Sequence, residues 1–416
     1  MEDVRAEAHP KSTLAIERVG TIRTILGSST MPELPQGLTG ILAIGCAIAV
    51  ANVYYAQPLS GMIAAAIGLP SRSAGLVIAL TQAGYGLGLL LVVPLADVIE
   101  NRRLICSGLC LSGLGLCAVA AANNSTLLLT ASFIVGVTTT VVQVMVPFSS
   151  HFAPAPSRGK ITGQIMSGLL LGILLARPVS SFIAANWGWR TVFAVSGAAV
   201  LLLAFLLRRQ LPQRLPARVD DGRSILASMW ALVRRTPVLR QRALVQGFLF
   251  AVFNVFWTGS PLLLARHYGM TFNGIALFSL VGAGGVLIAP LAGRMADLEL
   301  TKAATAFSLI AALMALGLAD WADIHKSVPL LALAGLCLDA AIQMCLVLSL
   351  RSIYMLEPSE RGRLNGLFMA WMFGCGAAAS IASAMIFDSG GWPMLMNFGI
   401  GMLVIGLALF LGLRDR

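Results

Sequence analysis

Charge is scarce in this sequence. Only 11% of its 416 residues are Asp, Glu, Lys or Arg, while 57% are hydrophobic. Soluble domains carry about 25% charged residues, so a chain this apolar has too little polar surface to face water on all sides. Histidine is scarce too. His9, His151, His267 and His325 are scattered through tails and loops and form no ligand cluster. The seven cysteines (Cys46, Cys106, Cys110, Cys117, Cys337, Cys345 and Cys375) fall in or at the ends of apolar runs, where Cys acts as a small apolar residue. Their spacing fits no zinc site. A nucleophile elbow, a P-loop and a glycine-rich dinucleotide fingerprint in strand–helix context are all missing. No cofactor, metal or enzymatic activity is expected. The first 36 residues are polar, lack a long apolar core, and read as a cytoplasmic tail rather than a cleaved signal.

Apolar runs are what the chain has. Twelve are long enough to cross a bilayer, which takes about 20 residues of helix. They cover roughly 38–66, 74–98, 104–122, 127–150, 161–184, 190–208, 243–264, 273–292, 303–320, 328–350, 364–386 and 393–413. Strands of a membrane barrel would be about ten residues long and alternate apolar with polar. These runs do neither, so an all-α membrane protein is expected.

The net charge of +11 is explained by topology. With both termini cytoplasmic, 24 Lys and Arg residues fall on the cytoplasmic face and four (Arg72, Arg190, Arg266 and Lys326) on the other. That asymmetry is the positive-inside rule, and it needs no nucleic-acid partner. The partners expected are a lipid bilayer, a small solute and protons. The protein is expected as a monomer in the inner membrane.

The longest connection divides the runs six and six. The domains expected are a tail (1–36), a first bundle (37–208), a cytoplasmic linker (209–242) and a second bundle (243–416). The linker contains SILASMWALVRR, with Ile225, Met229, Trp230 and Val233 spaced for one helical face and Arg234 and Arg235 following. It reads as an amphipathic helix on the cytoplasmic leaflet; a plain solvated linker is the alternative. The bundles also repeat. Asn52 in ANVYYAQP and Asn254 in FNVFWTGSP are 202 residues apart; Asp97 in VPLADVIENRR and Asp297 in PLAGRMADLEL are 200 apart. Two landmarks at nearly one offset indicate a duplicated six-helix unit, a known transporter plan.

These strings, with GLVIALTQAGYGLGLLLVVPLAD, GQIMSGLLLGILLARPVS, GWRTVF and RGRLNGLFMA, resemble the major facilitator superfamily. The likeness covers about residues 37–413 and is nearest to the bacterial drug and sugar efflux (arabinose-efflux-permease-like) branch. It implies the major facilitator fold: twelve transmembrane helices in two six-helix bundles, with helices 1, 4, 7 and 10 lining a central cavity. Two departures bear on mechanism. Arg177 stands where the efflux-antiporter pattern of helix 5 has proline, and Ser132 stands where many proton-coupled exporters carry an intramembrane Arg.

On the four cavity helices lie Asn52 and Tyr55, then Thr139, Thr140 and Gln143, then Asn254, Trp257 and Thr258, then Asp339 and Gln343. Polar groups at this depth face a wet cavity or one another; the alternative role is hydrogen bonding that only holds the helices together. The candidate substrate cavity is Asn52, Tyr55, Gln143, Asn254, Trp257, Gln343 and Arg177. Helices 2, 5, 8 and 11 carry Gly84, Gly88, Gly168, Gly172, Gly282, Gly284, Gly285, Gly366, Gly374 and Gly376, and the resemblance makes these the helices where the halves meet and rock.

Asp339 is the only acidic residue read at mid-membrane depth, and Arg177 the only basic one. A charged Asp there costs about 2.5–3.5 kcal/mol. A carboxylate that is neutral in one state and charged in another is what proton coupling needs, so Asp339 is the proton-coupling candidate. A permanently protonated Asp and a receptor for cationic solutes are the alternatives. Arg177 would pair with an anion or with a carboxylate across the halves, be structural, or snorkel. By resemblance, Asp97 caps the end of a neighbouring helix and pairs with basic residues near Arg102 and Arg103, a cytoplasmic gate that latches that side shut in the outward-open state. Asp297 with Arg294 forms its weaker counterpart.

The function expected is secondary active transport by alternating access, as proton-coupled efflux of a drug or sugar-like metabolite. A proton symporter or facilitator for uptake is the alternative, and a non-transporting membrane receptor the remote one.

Overall fold

Proline and glycine decide where the helices of this chain stop being regular. The computed structural model describes residues 37–152, 157–215, 222–356 and 360–412; the tail expected at 1–36 lies outside them. Every regular element among the described residues is helical. The first half contains α1 (Leu38–Ala51), α2 (Ser60–Ile67), α3 (Gly75–Leu91), α4 (Asn101–Ala121), α5 (Ser125–Thr139), α6 (Val142–Phe152), α7 (Arg158–Trp187) and α8 (Trp189–Gln210). After α9 (Gly222–Arg235) come α10 (Pro237–Arg266), α11 (Phe272–Gly282), α12 (Ala289–Asp297), α13 (Thr301–Ile324), α14 (Val328–Tyr354) and α15 (Arg361–Gly412).

Among the described residues nine helices are long and apolar enough to cross a membrane. The twelve runs read from sequence differ from these nine where the backbone departs from the α-helix. The first run is interrupted at 52–59, between α1 and α2. Pro58 has no N–H and its ring crowds the carbonyl of Tyr54, and the chain tightens instead: Tyr54 N donates to Ala51 O (3.0 Å) and Gln57 N to Tyr54 O (3.2 Å). The eighth run is interrupted between α11 and α12 by a 3₁₀ segment, Ala283–Ile288, that contains Gly284 and Gly285. Two adjacent poor helix formers weaken the α ladder there. The last two runs are joined in α15, which turns sharply at Gly391 (φ 67°).

Two large hydrophobic cores and two small clusters result. One is built wholly from residues between Leu38 and Leu211. The other runs from Val245 to Leu403 and takes in Ala51, Val53, Tyr54, Tyr85, Leu89 and Ala176 from the first half. Those six residues mark the seam. Across it α3 lies along α15: a Cβ on Gly75 would meet Ser380 O at 2.0 Å, and one on Gly86 would meet Ala370 O at 3.2 Å. Further seam contacts join α7 to α11, α2 to α10, and α15 to the turn Ser71–Ser73, while α12 packs mainly on α13 and α14. Large apolar side chains, including Leu111, Leu202, Phe205, Phe307 and Met314, are exposed on the outside, as a bilayer-facing surface requires.

Several of the glycines expected at the seam belong elsewhere. Gly84 and Gly88 press on the backbone of α5, at Phe133 and Val137, and Gly168 and Gly172 press on Ala43 and Ala47 of α1. These contacts stay inside the first half. Small residues serve any close helix crossing in a membrane, so their presence alone does not distinguish a moving interface from a fixed one. The linker helix α9 also departs from expectation. It docks on the second half through Met229 and Leu232, which are buried, and Leu232 joins Leu239, Ile353, Leu364 and Phe368 in one cluster. Trp230 faces outward. Arg235 pairs with Glu360, and Arg363 donates to Ser228 Oγ (3.3 Å).

Candidate functional site

The two lone mid-membrane charges meet. Arg177 Nη2 lies 3.2 Å from Asp339 Oδ2, and both side chains are buried, with 5% and 7% exposed. α7 supplies the cation and α14 the anion, so the pair bridges the two halves. Trp257 of α10 completes it. Its Nε1–H donates to Asp339 Oδ1 at 2.8 Å, and its ring lies 3.9 Å from the guanidinium carbon of Arg177. The Phe253 ring, one turn earlier, is 5.2 Å from the same carbon. Desolvated cation–π contacts of this kind are worth about 2 kcal/mol or more.

The local backbone makes room for this cluster. A Cβ on Gly285 would lie 2.6 Å from Asp339 Cβ, and one on Gly282 would lie 2.7 Å from Asp339 Oδ2 and 2.4 Å from the Trp257 ring. The break between α11 and α12 therefore runs directly against the carboxylate. Arg177 is incompletely satisfied: its Nε and Nη1 have no hydrogen-bond partner. A buried donor left this way costs about 1–3 kcal/mol.

A second polar cluster crosses the seam nearby. Asn254 Oδ1 accepts from Gln82 Nε2 (2.7 Å), Ser380 Oγ (3.1 Å) and Gln57 Nε2 (3.3 Å). Its own Nδ2 donates to Phe250 O at 2.9 Å. All four residues are wholly buried. Gln57, Gln82 and Ser380 are absent from the sequence-based set. Each was visible as a polar residue in an apolar run, but Gln57 lies within the break of helix 1, and Gln82 and Ser380 lie on helices that the resemblance assigns to the moving interface.

The remaining candidates are placed less centrally. Asn52 accepts from Ser196 Oγ of α8 (2.6 Å), an interhelical bond inside the first half. Gln143 donates to Tyr85 Oη (3.0 Å). Tyr55 is half-buried and packs against both cores. Gln343 is half-buried, and among the described residues it makes no hydrogen bond to Asp339.

The gate residues also pair differently from expectation. The cap of α4 is Glu100, not Asp97: its carboxylate accepts from Arg102 N and Arg103 N at 3.0 Å each and from Arg214 N at 3.4 Å. A carboxylate one residue before a helix faces its exposed N–H groups and the positive end of its dipole. Asp97, four residues back in chain and outside the helix, is exposed and lies in the field of Arg214. The Arg102 side chain donates to Arg208 O, and Arg103 is exposed. Asp297 pairs with Arg351 of α14 (2.5 Å), which also donates to Gly293 O; Arg294 is exposed. These bonds join elements of one half and brace the individual bundles; the latch is an expectation for the outward-open state.

Comparison with known proteins gives a consistent relationship. The family model described as Major Facilitator Superfamily matches residues 42–354. The chain is 37% identical over 376 residues to the putative uncharacterized transporter YgaY of Escherichia coli (strain K12), covering 90% of this chain and 95% of that one. It is 30% identical over 411 residues to the probable transporter SCO4007 of Streptomyces coelicolor, covering 95% and 91%. Among solved structures, a D-xylose–proton symporter superposes with a TM-score of 0.68 at 15% identity, covering 89% of this chain and 96% of that one. At that identity the likeness concerns the fold.

Proposed function

The chain belongs to the Major Facilitator Superfamily and is a multi-pass membrane transporter; we propose that it couples proton binding at Asp339 to the movement of a small organic solute by alternating access. In this reading each interrupted run counts as one span, so the spans number twelve, six in each half. The Arg-rich face, with both termini, is cytoplasmic in the inner membrane. One copy of the chain suffices, since both members of the central pair come from it.

The observation that carries the reading is the Arg177–Asp339 bridge across the seam. Removing one partner of a buried ion pair costs about 3–5 kcal/mol. Protonating Asp339 removes its charge and so weakens the contact between α7 and α14. Binding of a proton thereby becomes a change in how strongly the halves adhere, which is what coupling requires. The extensive contact of α7 with α11 supports a molecule closed towards the face bearing Arg190 and Arg266.

The likeness to efflux proteins favours export. Arg177 favours the other direction class, proton symport, because a fixed cation beside the proton site repels a second cation but welcomes an anion once Asp339 is neutral.

The test is transport in proteoliposomes under an imposed pH gradient, with a panel of anionic, neutral and cationic solutes, comparing wild type with Asp339→Asn. Gradient-driven flux that disappears in Asp339→Asn while solute exchange persists supports the reading. Equal gradient-driven flux in both removes Asp339 from the coupling role.

A further inference from the structure

We infer that the solute is an organic monocarboxylate with a flat, unsaturated body, and that it loads together with one proton as an electrically neutral pair. This rests on the transport reading above and adds the chemical class of the cargo.

The site has donors to spare. A guanidinium carries five N–H donors and no acceptor. Arg177 engages Asp339 through Nη2 only, while Nε and Nη1 go unpartnered in a side chain 5% exposed. Ser181 Oγ, one turn further along α7, and Thr258 Oγ1, next to Trp257, also lack partners. A carboxylate supplies two oxygens with about four acceptor sites and suits guanidinium in the plane of its fork. An ammonium ion supplies no acceptor for these N–H groups, and a neutral amine supplies a single lone pair where a carboxylate supplies two oxygens.

Charge balance makes the same choice. Arg177 stays protonated and, buried, needs one counter-charge. In the empty site that is the carboxylate of Asp339. When a proton from water binds a carboxylate oxygen of Asp339, the bridge to Arg177 breaks and the cation is left alone. A cationic solute would add a second positive charge, and a neutral one would leave the first uncompensated. A monoanion restores neutrality. The empty site holds Arg⁺ and Asp⁻; the loaded site holds Arg⁺, neutral Asp and the bound anion. Release on the far side returns the proton from Asp339 to water and the anion with it, and no net charge crosses. The other groups facing Asp339 do not upset this count. Tyr54, between α1 and α2, lies within electrostatic range of both Asp339 and Arg177, and Tyr85 of α3 in turn lies within range of Tyr54. α10 contributes Trp257, and the α11–α12 break contributes Gly282 and Gly285.

The shape of the cargo follows from the walls. Trp257 and Phe253 flank Arg177, Phe250 stacks on Phe253 at 5.3 Å and 8°, and Phe373 meets Phe250 edge-on at 5.1 Å. A continuous aromatic surface beside a cation suits a ring or conjugated chain ending in a carboxylate.

The experiment is calorimetric titration of the purified full chain with benzoate and 3-phenylpropionate at pH 5.5 and 7.5. Benzamide and benzylammonium serve as neutral and cationic controls, and buffers of different ionisation enthalpy count protons. The expected result is binding of an arylcarboxylate with uptake of one proton per anion, weakening about tenfold per pH unit where Asp339 is ionised. Asp339→Asn should bind the anion with no proton uptake and little pH dependence. The double variant Arg177→Gln/Asp339→Asn leaves no unpaired buried charge, so it keeps the test valid if Arg177→Gln alone does not fold; it should bind at least about tenfold more weakly. The inference is overturned if no arylcarboxylate binds at about 10 mM at either pH, or if binding survives unchanged in the double variant. If neutral or cationic solutes then move under a pH gradient in proteoliposomes, only the solute class was wrong. If no solute moves, the transport reading itself fails.

Discussion

Arg177 lies over the ring of Trp257, its guanidinium carbon 3.9 Å from the ring centroid, while the same indole donates its N–H to the acid that Arg177 pairs with. One side chain thus stabilises both members of the ion pair, by its π face and by its edge. Trp257→Phe should keep the first contact and lose the second. A hydrogen bond to a charged group contributes about 1.5–3 kcal/mol, so the thermal midpoint in detergent should fall modestly. Trp257→Ala removes both contacts and should fall clearly further. Equal losses would show that the indole N–H is immaterial.

The pair itself is open to a double-mutant cycle. Arg177→Ala leaves Asp339 buried without its counter-charge and should destabilise by about 3–5 kcal/mol. Adding Asp339→Asn should recover much of that loss, because no uncompensated charge remains. Strictly additive effects in chemical denaturation would mean the two side chains do not interact energetically.

Gly285 is a separate lever. A methyl group there would sit 2.6 Å from Asp339 Cβ and 2.8 Å from its carbonyl carbon, and backbone atoms cannot swing aside as a flexible side chain can. Gly285→Ala should push the 3₁₀ segment off α14 and lower pH-driven transport several-fold, with the chain still inserted and folded. Gly293→Ala, where a Cβ meets nothing within 4 Å, is the matched control. Similar transport in the two variants would count against the close approach.

A further prediction concerns the face bearing Arg190 and Arg266. A Cβ on Gly61 would lie 3.1 Å from Leu262 Cδ2, joining α2 of the first half to α10 of the second. In a background free of the seven native cysteines, Gly61→Cys with Leu262→Cys should cross-link rapidly, and the cross-link should abolish transport. Reduction should restore it. Transport that continues while the halves are tied would rule out separation at this point as part of the cycle.

Much of the architecture was legible because membranes are unforgiving. Apolar runs of bilayer length say membrane helix with little ambiguity. Arg177 and Asp339 stood out for the same reason: charge at that depth is costly, so each needed an explanation. That they meet was one of several options open for Arg177, since they are 162 residues apart and nothing local links them. Amides and hydroxyls are cheaper to bury, and their roles were correspondingly blurred. Asn52 read as a cavity residue but bonds to Ser196, while Gln57, Gln82 and Ser380 passed unnoticed beside Asn254. The repeat extends further than its asparagines and aspartates. Gly188 and Gly391, 203 positions apart, both turn the chain at positive φ immediately before a buried tryptophan, Trp189 and Trp392. Only the backbone angles reveal that those two glycines do the same task.

The amide oxygen of Asn254 is crowded by three donors, yet Gln57 Oε1 and Gln82 Oε1 beside it have no donor at all. Such a joint is mismatched on purpose or by tolerance, and the mechanical result is the same. Water or a passing solute that offers hydrogens to those idle oxygens could relieve the crowding as the halves part. Separation would then trade one imperfect set of bonds for another of similar strength, and a buried polar contact would act as a hinge pin instead of a lock.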